Sequence, residues 1–285
     1  MSTLRRAAAM ATDLTCRTVG RRQVVRAARF VLWRARLDVP NDLRTNGESL
    51  LQQWVLDMSP PGREMSVIDV GANVGRWSAA MLAVARRAGR MDDLDVHAFE
   101  PSAATFECLA GALDGQGVSL HRMALSDRPG SSLLHVIASR AGTNSLHAPP
   151  GVPADGPTEE VATITLDSYA GRAGLGTVAL VKIDTEGHDL AVLRGARTLF
   201  AEQRISIAQF EYNHRWIYAR CYLRDAFELL EPLGYRIGKL TPFGVEFYPR
   251  WDADLETFVE GNYIACSPLA AEHLPSVTWW KSLSR

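Results

Sequence analysis

Between residues 66 and 233 the pattern of apolar and polar positions switches repeatedly between a strand period and a helix period. Short apolar runs rich in β-branched residues indicate five strands, at 66–70, 94–99, 118–123, 178–183 and 205–210. Apolar residues at helical spacing indicate four helices, at 76–88, 102–113, 188–200 and 223–233. Such alternation is typical of right-handed βαβ units. It predicts an α/β fold of the Rossmann-like kind, with helices on both faces of a parallel sheet.

Two regions depart from this alternation. Residues 131–170 contain two runs of period two, "SLLHVI" and "VATITL", separated by a stretch at 141–157 rich in Gly, Pro and Ala. They predict an inserted β-pair with a loop. Further strands are predicted at 235–240 and 262–267, the last of them antiparallel, which makes a mostly parallel sheet of seven strands.

The N-terminal region predicts a different kind of element. Residues 21–36, "RRQVVRAARFVLWRAR", place apolar side chains on one helical face and arginines on much of the other. Such a helix either packs its apolar stripe on the domain or binds an anionic membrane surface, and the sequence leaves both open. We divide the chain into a basic helical extension (1–60), an α/β domain (61–270) and a tail (271–285).

Composition narrows the class of protein. The chain has 285 residues, of which 47% are apolar and 22% charged, as in ordinary globular proteins. Its four cysteines form no C-x-x-C pair, which indicates reduced thiols in an intracellular protein. No apolar run approaches the length of a membrane span, so we expect a cytoplasmic protein, or one at the inner face of the membrane if residues 21–36 bind it.

Charge is distributed unevenly along the chain. Residues 1–37 hold nine arginines against the single Asp13, a charge of +8, so the remainder carries −9 to reach the net −1. An acidic body argues against nucleic acid as the partner, because that binding depends on a basic face.

The segment "VIDVGANVG" at 67–75 joins the first predicted strand to the first helix. Its glycines, Gly71 and Gly75, lack the middle glycine of the dinucleotide fingerprint, and Asn73 stands at that place. An asparagine would crowd a pyrophosphate, so NAD is disfavoured, and no Gly-Lys-Ser/Thr follows to make a P-loop.

Two carboxylates indicate the ligand instead. Asp69, at the end of the first strand, would repel a pyrophosphate but suits a ligand with positive charge. Glu100 ends the second strand, where an α/β nucleoside site accepts hydrogen bonds from ribose hydroxyls, unless it only caps the next helix. S-adenosylmethionine (SAM) fits, because it has a sulfonium, an ammonium and no phosphate.

Five motifs together resemble one known family, the FkbM family of SAM-dependent methyltransferases. They are, in order, "VIDVGANVGRWS", "HAFEP", "MALSDRPG", "TLDSY" and "VKIDTEGHDLAVLRGA". The resemblance covers residues 64–266. It implies a class I methyltransferase fold with seven strands, and methyl transfer to oxygen.

The resemblance also implies a set of cofactor-binding residues. Those expected around the methionine end and the ribose are Asp69, Gly71, Asn73, Gly75 and Glu100. Met123 and Ala124 would flank the adenine. Asp127 either joins them or caps the "SDRPG" turn, and Asp184 would contact the methionine ammonium or orient the acceptor.

The general base should lie beyond the fourth and fifth strands. Glu186 follows Asp184 closely, although it could merely offset the dipole of the next helix. Glu211 ends the fifth strand, and His214 follows in the polar loop "EYNHRW". We prefer His214 as the base because its ordinary pKa lies near neutrality, with Glu211 and Glu186 as the other candidates.

These observations predict a SAM-dependent O-methyltransferase that acts on a hydroxyl of a small molecule or glycan. Residues 140–156 would then be a lid over the acceptor, with Asn144 and Ser145 as contacts. No ligand spacing indicates a metal. The alternatives are a non-catalytic SAM-binding module and, disfavoured by Asn73, a nicotinamide oxidoreductase.

Overall fold

The computed structural model describes residues 2–137, 142–148, 151, 153 and 156–282, and the chain divides into two compact units, Met1–Pro40 and Asn41–Arg285. Helix α3 and residues 271–282 therefore belong to the second unit, whereas the sequence analysis divided the chain at 60 and 270. In the described part of the chain, no helix combines the length and the hydropathy that crossing a membrane requires.

The first unit consists of two helices, α1 (Thr3–Val19) and α2 (Arg21–Ala35), which are joined at Gly20. Helix α2 was predicted from its pattern, and α1 was not. Neither helix buries a residue. Several large apolar side chains of the unit are exposed: Leu4, Met10, Leu14, Val19, Val25, Phe30, Val31 and Leu32.

Strands of the second unit form one large and one small sheet. In chain order they are β1 Met65–Val70, β2 Leu94–Phe99, β3 Val118–His121, β4 Ala124–Leu125, β5 Gly130–His135, β6 Thr158–Ile164, β7 Val178–Ile183, β8 Ile205–Tyr212, β9 Arg236–Thr241, β10 Gly244–Phe247, β11 Gly261–Cys266 and β12 Ser276–Val277. The large sheet has the order β12-β10-β9-β11-β8-β7-β1-β2-β3 in the described residues, and the small sheet has the order β4-β6-β5.

The large sheet confirms the predicted Rossmann-like fold. Strands β3, β2, β1, β7 and β8 pair in parallel, and β11 inserts antiparallel between β8 and β9. These are the seven predicted strands. Two strands that were not predicted, β10 and β12, extend the sheet to nine beyond β9. The predicted β-pair is β5 and β6, which are antiparallel and joined at one edge by β4.

Helices of the second unit cover both faces of the large sheet. They are α3 Glu48–Met58, α4 Arg76–Arg87, α5 Ala103–Leu113, α6 Leu166–Ala173, α7 Asp189–Arg194, α8 Arg197–Ala201, α9 Leu223–Leu230 and α10 Pro268–His273. The helix predicted at 188–200 is thus two short helices. The helix is interrupted at Gly195. This residue lies so close to Ser126 that a Cβ on it would be 2.0 Å from the Ser126 backbone oxygen.

Side chains of β1 point alternately to the two faces of the large sheet and contribute to an apolar core on each face. Ile68 and Val70 belong to one buried apolar cluster, and Met65 and Val67 belong to the other. Because successive strand residues point to opposite faces, a strand buried on both sides reads as a continuous apolar run. Asp69 is therefore a polar residue among the apolar residues at the C-terminal end of β1.

The turn after β1 depends on Gly71. This residue has φ +77°, and a Cβ there would lie 1.9 Å from the backbone oxygen of Asp184. We expect Gly71→Ala to lower the free energy of unfolding by about 2–5 kcal/mol, since backbone strain adds to a steric clash.

Gly89 is the matched control, because it has φ +66° and no atom within 4 Å of a Cβ. Gly89→Ala should lose only about 1 kcal/mol, from backbone strain alone. Urea denaturation of both variants measures the difference. Equal losses would contradict a clash at Gly71.

Candidate active site

The carboxyl ends of β7, β1 and β2 lie side by side and border a cavity, here called the first cavity, together with residues that follow β3. In open α/β sheets this edge is where ligands bind. Of the predicted cofactor-binding residues and base candidates, seven line it: Gly71, Asn73, Glu100, Met123, Ala124, Asp184 and Glu186.

Glu100 and Asn73 form the polar part of the first cavity. The Glu100 carboxylate accepts hydrogen bonds from the backbone N–H of Asn73 (3.0 Å) and of Ser102 (2.9 Å). Burial raises the pKa of Glu100 to about 7. Asn73 adopts φ +50°, and its buried Oδ1 has no hydrogen-bond partner within the described structure. An unpaired buried acceptor is costly, so this oxygen is suited to a ligand donor.

Asp69 lies behind the cavity wall. Its side chain is completely buried, accepts a hydrogen bond from Ser78 Oγ (2.7 Å) and lies 3.4 Å from Lys182 Nζ. Lys182 also lies 3.3 Å from Asp184 Oδ2. Burial alone would lower the pKa of Lys182, but Asp184, Asp69 and Glu48 outweigh burial and raise that pKa. Asp69 thus pairs with the buried ammonium of Lys182, a residue that the sequence analysis did not identify.

Gly75 and Asp127 also lie outside the cavity lining. A Cβ on Gly75 would meet Leu109 Cδ1 at 2.9 Å, so this glycine permits close packing on α5. Asp127 is exposed and accepts a hydrogen bond from Ser126 Oγ (3.2 Å). The cofactor roles of Asp69, Gly75 and Asp127 stay predictions.

A pair of contacting histidines, His188 and His147, lies at the first cavity, and His188 lines it. His188 Nε2 contacts Ser126 Oγ (2.9 Å), and His188 Nδ1 contacts His147 Nε2 (3.0 Å). Burial and, to a smaller extent, the neighbouring His147 lower the pKa of His188 to about 4. Sequence reasoning missed this pair because the two residues are 41 positions apart.

Part of the insertion between β5 and β6 lines the same cavity. Ser145 Oγ donates a hydrogen bond to the backbone oxygen of Glu186 (2.7 Å), and Asn144 Oδ1 accepts one from the Ile137 N–H (3.0 Å). The predicted lid at 140–156 lies partly outside the described residues. Its described part borders the first cavity, where the sequence analysis expected an acceptor site.

A second, open cleft meets the first cavity. The cleft runs between the segment 41–52 and helix α4, and it also reaches Glu211, Arg215 and Glu260. Four residues line both spaces: Asn73, Gly142, Asp184 and Glu186. A ligand in the first cavity and another in the open cleft would therefore meet at Asp184 and Glu186.

Glu186 has an unusual conformation and environment at this junction. It adopts φ +56°, a strained value for a residue other than glycine, and its Oε2 lies 2.6 Å from Arg215 Nη1. Burial, with a contribution from Asp184, raises the pKa of Glu186 to about 8, although Arg215 opposes the rise. Strained residues with shifted pKa values cluster at functional sites.

Glu211 lines the open cleft without reaching the first cavity. Its carboxylate accepts hydrogen bonds from Asn41 Nδ2 (2.9 Å) and Asn213 Nδ2 (2.5 Å). Burial and then the charges of nearby carboxylates raise the pKa of Glu211. His214, by contrast, is exposed and lines neither space. The structure does not bring His214 to the other candidate bases.

A buried polar network joins the segment before α3 to β8. Asn46 Nδ2 donates to Asn41 Oδ1 (3.0 Å) and to Glu48 Oε2 (2.7 Å), and Gln209 Nε2 donates to Glu48 Oε1 (2.5 Å). The sequence analysis did not identify this network, because Glu48 and its partner Gln209 are 161 positions apart. Within the described ranges, no group of three or more His, Cys, Asp or Glu side chains could hold a metal ion.

Residues 69–237, more than half of the chain, match the family model described as "Methyltransferase FkbM domain". A search of curated proteins found no match.

Several solved structures that resemble this chain at low sequence identity are methyltransferases. A precorrin-6y C5,15-methyltransferase from Geobacter metallireducens GS-15 has 11% identity and a TM-score of 0.37, covering 77% of this chain and 88% of that chain. A SAM-dependent methyltransferase from Agrobacterium tumefaciens has 8% identity and a TM-score of 0.41, covering 78% and 61%. A TehB-like SAM-dependent methyltransferase from Corynebacterium glutamicum ATCC 13032 has 12% identity and a TM-score of 0.37, covering 85% and 96%.

Proposed function

The chain belongs to the FkbM methyltransferase family, with SAM as its cofactor, and from that premise we propose that it methylates a hydroxyl of a small-molecule or glycan acceptor. The observation that carries the proposal is the junction of the two spaces. The residues that line the first cavity suit a nucleoside, and the open cleft is polar. Carboxyl groups lie where the two spaces meet. A hydroxyl, unlike a more acidic acceptor, needs a base at that point.

The residues of the first cavity fit the cofactor. Glu100 would accept hydrogen bonds from the two ribose hydroxyls, and the unpaired Asn73 Oδ1 would accept one from the methionine end. Met123 and Ala124 supply an apolar wall for adenine. When bound, SAM supplies a methyl group on a sulfonium, an electrophile that a nucleophile can attack in line.

Glu186 is our proposed general base. It lies at the junction, and a base whose pKa is close to the operating pH both takes a proton readily and is partly ionised. Arg215 would hold the Glu186 carboxylate in place, and Asp184, fixed by Lys182, would orient the acceptor. Proximity and alignment account for the rest of the rate enhancement, up to about 7–11 kcal/mol in favourable cases.

Mass spectrometry tests the proposed acceptor chemistry. Metabolites and cell-surface glycans from cells with and without the gene should differ by one methyl group on an oxygen. A methyl group found on carbon would overturn the hydroxyl acceptor. Tight binding of S-adenosylhomocysteine with no methylated product from any source would favour a non-catalytic binding module.

Cofactor affinity should depend on pH through Glu100. Its carboxylate must be ionised to accept both ribose hydroxyls, and its pKa in the free protein is about 7. Protonation therefore competes with binding on the acid side, so affinity for S-adenosylhomocysteine should fall about tenfold per pH unit below about 7. Calorimetry over this range measures the effect. An affinity that is constant from about pH 5 to pH 8 would contradict it.

We also propose that residues 21–36 contact an anionic membrane surface. Val25, Val31 and Leu32 are exposed on one side of α2, and arginines occupy much of the other side. An amphipathic helix of this kind lies in the interface plane, and each arginine near an anionic surface contributes about 1 kcal/mol.

Flotation of the full chain with vesicles tests this contact. Vesicles of phosphatidylglycerol and phosphatidylcholine should carry the protein, and pure phosphatidylcholine should carry much less. The triple variant Arg22→Gln, Arg26→Gln, Arg29→Gln should weaken binding about 100-fold. A control with Arg63→Gln, Arg128→Gln and Arg172→Gln has the same charge change elsewhere. Equal loss in the two triple variants would argue against the helix.

A further inference from the structure

The open cleft has two chemically different ends. Asp184, Glu186 and Glu211 lie at its inner end, next to the first cavity. Three further lining residues are arginines: Arg44, in the loop before α3, and Arg76 and Arg87, at the two ends of α4. None of these arginines has a role in the chemistry described above.

Arg76 and Arg87 lie on one face of α4. They are eleven positions apart, close to three full helical turns, which separates their Cα atoms by about 16 Å along the helix axis. Ala80 and Ala83 lie on the same face between them and also line the cleft. Because alanine side chains are short, this face of α4 leaves open space between the guanidinium groups of Arg76 and Arg87.

The three arginines have no counter-charge within the described part of the protein. Arg90, Arg204, Arg215 and Arg224 each pair with a carboxylate, whereas among the described residues no carboxylate lies within 4 Å of the guanidinium groups of Arg44, Arg76 and Arg87. The Asp42 carboxylate, which also lines the cleft, accepts a hydrogen bond from the backbone N–H of Arg44 (2.9 Å). Arg76 is moreover the first residue of α4, whose first turn has no acidic residue. A cation there opposes the helix dipole and costs stability, which is unexplained if Arg76 has no function.

Two buried polar atoms in the cleft wall also lack hydrogen-bond partners among the described residues. Gln52 is fully buried and donates through Nε2 to the Trp77 backbone oxygen (3.1 Å), but no described residue donates to its Oε1. Trp77 Nε1 is a buried donor with no acceptor in the described part of the chain. Both residues line the open cleft. An unpaired acceptor and an unpaired donor in one wall are expected where a polar ligand completes the hydrogen bonding.

We propose that the acceptor carries a phosphate-type anionic group in addition to its hydroxyl, and that Arg44, Arg76 and Arg87 bind this group. The proposal rests on the function proposed above. Arginine binds phosphate oxygens through two parallel N–H donors, so it fixes orientation as well as charge. The acidic inner end repels the anion, so a bound acceptor points its hydroxyl toward Glu186 and its anionic group toward the α4 arginines.

Calorimetry with inorganic pyrophosphate tests the proposal. Wild-type protein should bind it, and more tightly than sulfate at equal ionic strength. The double variant Arg44→Gln, Arg87→Gln should weaken that binding at least about tenfold, since it removes two charged donors to the anion. Both residues are exposed and lie outside the first cavity. The substitutions should therefore leave folding and S-adenosylhomocysteine affinity unchanged.

The control is the double variant Arg86→Gln, Arg172→Gln. Arg86 is the exposed neighbour of Arg87 but does not line the cleft, and Arg172 lies on α6. Pyrophosphate affinity should be unchanged in this control. Equal weakening in both double variants, equal affinity for sulfate, or no binding by wild type would overturn the proposal. Failure to bind S-adenosylhomocysteine would instead contradict the cofactor site.

Discussion

Replacing Glu186 by glutamine should lower kcat by a factor of about 10² to 10⁴ and leave cofactor affinity almost unchanged. The factor is the usual contribution of a general base to a reaction at a hydroxyl. Glutamine keeps the shape of the side chain but cannot accept the proton. In wild-type enzyme, kcat should rise about tenfold per pH unit up to about pH 8, because Glu186 is protonated below its pKa of about 8. The variant should lose this dependence.

Glu202→Gln is the matched control, since Glu202 is an exposed carboxylate that pairs with Arg204 and lines neither space. Its kcat and pH profile should equal those of wild type. If Glu186→Gln turns over at the wild-type rate, the base lies elsewhere. A parallel Glu211→Gln measurement then identifies the remaining carboxyl candidate, and His214→Ala tests the exposed histidine.

Replacing Glu100 by glutamine should weaken binding of S-adenosylhomocysteine about 10² to 10⁴-fold. Two ribose hydroxyls would lose a charged acceptor, and each such bond contributes about 1.5–3 kcal/mol. The amide that replaces the carboxylate would also point a donor at the Asn73 or the Ser102 N–H, which both donate to Glu100 in the wild type. Calorimetry at about pH 8, above the Glu100 pKa, measures the loss.

Glu107→Gln provides the comparison, because Glu107 is exposed on the following helix, α5. It should bind like wild type. Thermal unfolding of Glu100→Gln separates lost contacts with the ligand from lost folding. Wild-type affinity in a folded Glu100→Gln protein would remove Glu100 from the cofactor site.

The strand pattern predicted most of the fold, because strands buried on both faces carry long apolar runs. Strands β10 and β12 were missed, since four and two residues are too few to show a period. The break between α7 and α8 was missed for another reason. It depends on the approach of Gly195 to Ser126, a contact between distant parts of the chain.

The position of residues that follow strand ends could be predicted, because parallel strands bring their carboxyl ends to one edge. Asn73, Glu100 and Asp184 line the first cavity for this reason, and their roles stay predictions. What a side chain meets across the sheet was not predictable from local pattern. Asp69 was expected to face the ligand, yet it meets Lys182, which is 113 positions away. His214 was favoured because histidine as a residue type ionises near neutrality. That property does not indicate whether the side chain lies on the surface or in the site.

The buried carboxyl groups around the junction have a thermodynamic consequence for the whole protein. The pKa values of Glu48, Glu100, Glu186, Asp189 and Glu211 are all raised, chiefly by burial. The folded chain therefore holds protons that the unfolded chain releases above its ordinary pKa values, and folding stability falls as pH rises from those values through the raised ones. The ionised carboxylates that the proposed mechanism requires are thus the form that folding tolerates least. Under that mechanism, stability is given up for activity at this one edge of the sheet, and a cationic ligand bound there would restore part of it.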